Sequence, residues 1–479
     1  MIKPTRAHSE TTPPPRKWWA MLGIGLGIVM FTLDTSIVNI ALPTLVQAFG
    51  TSFATVQWVV LSYTLVITAL VLVAARLGDM YGKKRLYLTG LIIFTISSLL
   101  CGLAPSITEL IGFRALQGLG AVFISALGAA IITEVFPESE RGKALGIIGT
   151  VVSVGISLGP SVGGLLIGIF GWRLMFLVNV PIGIFASFVV AHFVPPSVKN
   201  NAQQRFDGLG ALILAATLTC FALGMTHGQN QGFGNGTTLI LLAFAVVGSV
   251  CFLAVEARLK QPMLNLSFLQ NLPFSLSLLA SVLVFIVIAG IIFILPFFLE
   301  LVLNYSIQHV GLLLMVSPIL TGIVAPMAGS LSDRFGQRLI SFIGLILMAC
   351  GCLACSTFDT QLTDLGYILR IAPFGVGLGM FQSPNNSAVL GKVPQTRLGI
   401  ASGLLSLSRT LGRTTGVPLL GALFATWTIA SAQLAPGTDV TAAPPEALVF
   451  GVQGAFRVAA LFLGVAAVLI AVAWRRERK

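Results

Sequence analysis

Long apolar runs broken by short polar stretches dominate the chain. A helix needs about 20 apolar residues to cross a hydrocarbon layer roughly 30 Å thick, since it rises 1.5 Å per residue. That window predicts fourteen membrane-spanning helices, at residues 18–46, 55–76, 85–104, 107–133, 143–168, 172–194, 207–227, 236–256, 273–299, 309–331, 338–357, 364–391, 398–430 and 454–474. The segment HGQNQGFGNG (227–236) reads as a loop between two crossings, because Arg205 before that pair and Arg258 and Lys260 after it put both ends on one face.

Composition agrees with a membrane chain: 56% of the 479 residues are hydrophobic and 9% are charged, against about 25% charged in soluble domains. This excludes a soluble enzyme and a disordered chain. The net charge of +12 would suit a nucleic-acid partner, but its distribution argues otherwise. Under the predicted topology, 22 of the 28 Lys and Arg residues fall in the tails and alternate loops on one side, and only Arg173 and Arg457 lie opposite. Basic residues are retained in cytoplasmic loops, so both termini are expected in the cytoplasm. The Pro-rich start, residues 1–17, reads as a tail before an anchor helix rather than a cleaved signal, with Trp18 and Trp19 at headgroup level. All six cysteines fall in apolar stretches, so neither a disulfide framework nor a metal site is expected.

The chain repeats itself. AARLGDMYGKKRLYLTG (74–90) matches AGSLSDRFGQRLISFIG (328–344), Arg114 falls over Arg370, and ERGKALG (140–146) falls over TRLGIASG (396–403), at offsets of 254, 256 and 256. These matches predict two parallel six-helix bundles, 18–194 and 273–475, joined by a linker, 195–272, that carries the inserted spans 207–227 and 236–256. A short tail, 476–479, follows. Parallel halves of this kind describe secondary transporters that rock around a midplane site.

RLGDMYGKKR (76–85) joins the second and third helices as a hinge clasp. Gly78 and Gly82 permit a tight turn, Asp79 can accept from N–H groups at a helix start, and Arg85 helps hold the loop inside. Asp333 and Arg334 repeat the pattern in the second half. In the fifth helix Gly155, Gly159, Pro160, Gly163 and Gly164 combine small-residue spacing with a kink, which suits a pivot or a close crossing.

LDTSIVNIALP (33–43), RLGDMYGKKR, RALQG (114–118), SLGPSVGG (157–164) and GWRLMFLVNVPIG (171–183) together resemble the major facilitator superfamily, and within it the fourteen-helix drug:proton antiporter branch. The resemblance spans essentially the whole chain and extends to GIASGLLSLSRTLG (399–412). It implies proton-driven export by alternating access across a bacterial cytoplasmic (inner) membrane.

Ionisable residues inside a membrane are functional candidates by default. Of the 16 acids, Asp34 and Glu300 fall inside spans away from the cytoplasmic loops. Asp34, mid-helix, is the expected proton carrier; the alternative is a structural Asp satisfied by Thr32, Thr35 or Asn39. The resemblance links it to coupling and to cationic substrates. Glu300 registers over Gln47, so Asp34 has no acidic twin; it is either a second proton or cation site or a solvated carboxylate. Arg114 is tied by the resemblance to proton transfer, against a structural tie to backbone carbonyls or Glu109. Arg409 and Arg413, one helical turn apart, either clamp the cytoplasmic gate or contact an anionic substrate. Gln57, Trp58, Tyr63, Phe113, Gln117, Gln382, Asn385 and Asn386 are expected to line an amphipathic cavity, with helix–helix bonding the alternative for the two asparagines.

No phosphate-binding loop, HExxH, zinc or Ser-His-Asp pattern occurs, so ATP-driven pumping and catalysis are not expected. The expected partners are a small-molecule substrate, protons and the lipid bilayer, with no nucleic acid, no cofactor beyond the proton gradient, and a functional monomer. The leading reading is export of hydrophobic, often cationic compounds. A same-fold transporter of one defined metabolite (a vitamin, amino-acid derivative or lipid) is the second, and a polytopic sensor or intramembrane enzyme the third.

Overall fold

The computed structural model describes residues 14–196, 208–258, 270–390, 398–435 and 438–478, and contains no β-strand among them. The first helices are α1 (Pro14–Phe49), α2 (Phe53–Tyr81), α3 (Lys83–Leu103), α4 (Ile107–Val135), α5 (Glu138–Phe170), α6 (Leu174–Leu177) and α7 (Asn179–Phe193). Next come α8 (Gly208–Gln231) and α9 (Gly236–Arg258). The rest are α10 (Leu272–Phe297), α11 (Ile307–Leu314), α12 (Val316–Phe335), α13 (Gln337–Cys355), α14 (Asp364–Leu390), α15 (Leu398–Ser431) and α16 (Pro445–Arg478).

Local chemistry sets the breaks. Ser52, Ser106 and Asn271 cap α2, α4 and α10 by accepting from the N–H groups of Thr55, Glu109 and Phe274. The predicted ninth span does not stay α-helical to its end: past Pro296, which cannot donate a backbone hydrogen bond, it widens into a π-turn over Phe298–Val302. The tenth divides at Met315, three residues before Pro318.

Eleven helical stretches among the described residues are long and apolar enough to cross a membrane. Helices α5, α14 and α15 also underlie predicted windows but fall outside that measure. Among the described residues, Val154–Phe170 of α5 forms a shorter apolar helix.

The sequence repeat reappears as one turn made twice. Gly82 (φ 99°) separates α2 from α3 and donates its N–H to the Gly78 carbonyl; Gly336 (φ 94°) separates α12 from α13 and donates to that of Ser332. At positive φ a Cβ is strained. Gly82→Ala and Gly336→Ala should each cost about 1–3 kcal/mol and, lying in separate turns with no shared hydrogen-bond partner, add in the double variant. Thermal unfolding of the purified protein checks this. The side chains of Asp79 and Asp333 lie outside what the structure describes.

Helix pairing recurs as well. Contacts of α3 with α4, α2 with α4, α1 with α5, α1 with α7 and α3 with α7 are echoed by α13 with α14, α12 with α14, α10 with α15, α10 with α16 and α13 with α16. Helices α8 and α9 pair with each other, and α8 leans on α2 and α15, beside the seam between the two sets.

That seam is tight at the end remote from the termini. Phe53 of α2 packs its ring on Phe293, Phe297 and Phe424, and its N–H donates to Asp439. Within the first set, α5 crosses α1 so closely that a methyl group at Gly155 or Gly159 would strike Thr32 or Ser36, and one at Gly163 would press on Ile37 and Ile40. Across the seam, the same helix sets Gly164 against the Ile307 carbonyl, and Gly311 sits against that of Pro160.

Candidate functional site

Four helices and the start of a fifth bring polar groups to one fully buried point. Asp34 of α1, Arg114 and Gln117 of α4, and Asn179 at the start of α7 are each at most 2% exposed. Arg114 Nη1 donates to Asp34 Oδ2 at 2.7 Å and also to Gln117 Oε1, while its Nε donates to the Val59 carbonyl of α2 at 3.0 Å. Gln117 Nε2 donates to Asp34 Oδ1 at 2.9 Å and to Ser98 Oγ of α3 at 2.8 Å, and Asn179 Nδ2 donates to Asp34 Oδ1 at 3.1 Å.

The Asp34 carboxylate thus accepts from one cationic and two neutral donors. A buried charge is tolerated when it is paired and hydrogen-bonded, and both conditions hold. The Tyr63 ring covers the guanidinium, 4.1 Å from Cζ to ring centroid, and Phe176 lies at 5.8 Å. The structural alternative for Asp34 is not the arrangement seen: Thr32 and Thr35 donate to carbonyls of their own helix, and Asn39 donates to that of Thr35. Arg114 does take a backbone carbonyl, together with Asp34 and not Glu109.

On the seam side of Tyr63 lies a cavity of about 20 Å³ lined by Phe31, Thr35, Tyr63, Thr64, Ile67, Thr68, Thr410 and Arg413. Thr35 Oγ1 and the Tyr63 hydroxyl approach to 3.5 Å between it and the charge pair. Thr68 and Thr414 hydroxyls meet at 2.8 Å across the seam, tying α2 to α15.

The second set holds a different polar group. Arg409 Nη2 donates to Asn386 Oδ1, and Asn385 Nδ2 donates to Ser281 Oγ at 2.9 Å. Both guanidinium groups of α15 face the Phe285 ring, Arg409 at 5.7 Å and Arg413 at 5.2 Å. Arg370, the repeat partner of Arg114, makes no ion pair among the described residues.

Of the residues expected to line a cavity, Tyr63 does so, whereas Gln117 belongs to the charge network. Gln57 is buried where α2 meets Gly421 of α15. Trp58 and Phe113 pack, partly buried, against the apolar core, Gln382 is half-buried on α14, and Asn385 serves helix–helix bonding. Glu300 sits in the π-turn with Oε2 buried and without a hydrogen-bond partner among the described residues, outside the Asp34 network. Arg85 and Arg334 are exposed, the latter over the Phe335 ring at 5.3 Å. Ser98 and Asn179 were not singled out from the sequence. The signal for Asn179 was present in GWRLMFLVNVPIG, where Asn is the amide in a run otherwise apolar after Arg173.

The Major Facilitator Superfamily pattern matches residues 24–417 and 277–479. The chain belongs to that superfamily. Its relatives include the riboflavin transporter RibZ of Clostridioides difficile strain 630, 35% identical over 86% of this chain and 89% of that protein. The multidrug resistance protein Stp of Mycobacterium tuberculosis (strain CDC 1551 / Oshkosh) is 33% identical over 85% of this chain and 76% of that one. Among solved structures, the inward-facing, unoccupied form of a bacterial homolog to the human lysosomal transporter Spinster aligns over 96% of this chain and 98% of its own, with TM-score 0.69 at 18% identity. As a superfamily member the protein is a multi-pass, membrane-embedded transporter of small molecules and not an enzyme.

Proposed function

We propose that this chain is a proton-coupled exporter of hydrophobic small molecules, with Asp34 and Arg114 as its coupling pair. The observation that carries the reading is the buried Asp34–Arg114–Gln117–Asn179 network one ring away from a cavity on the seam between the two helix sets. Protonation of Asp34 would weaken its bond to Arg114, freeing the guanidinium to re-aim toward Tyr63 and the cavity. A proton event would thereby reach the substrate path.

The full reading includes fourteen crossings in two six-helix bundles, with α8 and α9 as an inserted pair, and both termini in the bacterial cytoplasm. It places the chain in the drug:proton antiporter branch, and the Stp relative supports drug export. In this orientation the closed end of the seam faces outward, and Gly78, Gly82, Gly155, Gly159, Pro160, Gly163 and Gly164 serve the rocking motion. The proton gradient is the energy source, and the monomer is the working unit.

The test is substrate-driven proton movement in everted membrane vesicles across a panel of hydrophobic dyes. Asp34→Asn should bind the dyes but release no protons; retained coupling in that variant sinks the assignment. The riboflavin-transporting relative favours a second reading, transport of one defined metabolite. A proton response to a single compound of the panel would select it.

A further inference from the structure

The charge pair at Asp34 is internally neutral, whereas the second helix set presents two cations on α15 with no acid among the described residues paired to them. Arg409 and Arg413, one turn apart on α15, form no ion pair among the described residues, and Arg409 donates to the neutral Asn386 Oδ1. Arg409 Nε is a buried donor with no partner among the described residues. Both side chains are half-buried, and holding two guanidinium groups of like charge together where water only partly screens them is costly without an anion between them or beside them. Arginine keeps its proton, so the cost cannot be relieved by deprotonation.

The surroundings suit one kind of anion. Arg413 lines the seam cavity together with Phe31 and Tyr63, and both guanidinium groups lie over Phe285. Asn386 and Thr410 add neutral polar atoms beside them. We propose that Arg409 and Arg413 form the anion-recognition site of the transporter, taking the carboxylate of an aromatic amphipathic substrate whose ring system rests among Phe285, Phe31 and Tyr63. Guanidinium forks bind carboxylates through paired, charge-assisted hydrogen bonds. The cavity has room for about one water in this state, so the substrate enters as the two helix sets part.

The placement also links the two sites. Tyr63 covers Arg114 on one side and lines the Arg413 cavity on the other, so a bound anion would draw on the cation that Asp34 neutralises. The inference rests on the export reading and names its substrate class: organic anions rather than the cations expected from the sequence resemblance.

Equilibrium binding of three dyes to the full chain in lipid nanodiscs tests it, by fluorescence anisotropy: fluorescein (anionic), rhodamine 6G (cationic) and Nile red (neutral). The wild type should bind fluorescein about tenfold or more tightly than rhodamine 6G, a factor within reach of one charge-assisted hydrogen bond. Arg413→Gln and Arg409→Gln should each erase that preference while leaving Nile red within about twofold, and Arg413→Lys should retain part of it. Equal or weaker binding of fluorescein in the wild type, including no binding of either charged dye, overturns the proposal. Equal weakening of all three dyes in the glutamine variants does so too, by assigning the pair to the gate. If Arg413→Gln does not fold, the wild-type preference and its fate in Arg413→Lys decide. No proton gradient enters these measurements, so loss of the anion site is distinguishable from loss of Asp34 coupling.

Discussion

Asp34→Asn and Arg114→Gln should each destabilise the protein by about 3–5 kcal/mol, because each leaves the other member of a buried pair uncompensated. In Asp34→Asn, Arg114 keeps only neutral partners, namely the Val59 carbonyl, Gln117 Oε1 and the Tyr63 ring. In Arg114→Gln, Asp34 keeps Gln117 and Asn179 as neutral donors. The double variant Asp34→Asn/Arg114→Gln buries no charge at this point and should recover much of the loss, since partners in direct contact couple by about 0.5–3 kcal/mol in such cycles. Thermal unfolding of the four proteins in one detergent gives the cycle. All three variants should fail to release protons with substrate, which separates stability from function: a double variant that folds well and still couples would remove the pair from the mechanism. Additive destabilisation would show that the 2.7 Å contact does not hold the two helices together.

Both members of this pair were legible as single residues, because an ionisable side chain in an apolar window is conspicuous wherever it falls. Their meeting was not. Eighty positions separate Asp34 from Arg114 and 145 separate Asp34 from Asn179, and only the packing phase of α1, α4 and α7 decides which faces converge. Where helix backbones touch, the signal was local and survived: the matched Gly82 and Gly336 of the repeat became matched turns, and Gly155, Gly159, Gly163 and Gly164 became crossing points. Amide and aromatic residues were harder to place. Gln117 and Trp58 look alike as cavity candidates, yet one serves the charge network and the other packs against the core, because polarity alone does not give the direction a side chain faces around a helix. The π-turn under Glu300 was likewise hidden, since a widened turn after Pro296 leaves the apolar pattern unchanged.

The second large effect is expected at the closed end of the seam. Gly164 of α5 and Gly311 of α11 are glycines at which one helix set closes directly on backbone of the other: a Cβ on Gly164 would lie 2.6 Å from the Ile307 carbonyl oxygen, and one on Gly311 would lie 2.5 Å from that of Pro160. Backbone cannot rotate aside as a side chain can, so Gly164→Ala and Gly311→Ala must push the sets apart at this end. Overpacking of this kind costs about 1–3 kcal/mol, and it is charged only to the state in which this end is closed. The equilibrium should therefore move toward opening at this end by roughly 5–150-fold, without comparable loss of folding. Spin labels on the exposed positions Phe170 and Gln361, one on each set, read the change as a longer interspin distance, and transport should fall because the cycle stalls in one state. Gly25→Ala is the control, since a Cβ there meets nothing within 4 Å. An unchanged distance in the Gly164 and Gly311 variants would mean that the two sets do not rock about this contact, and that the glycines of α5 serve static packing alone.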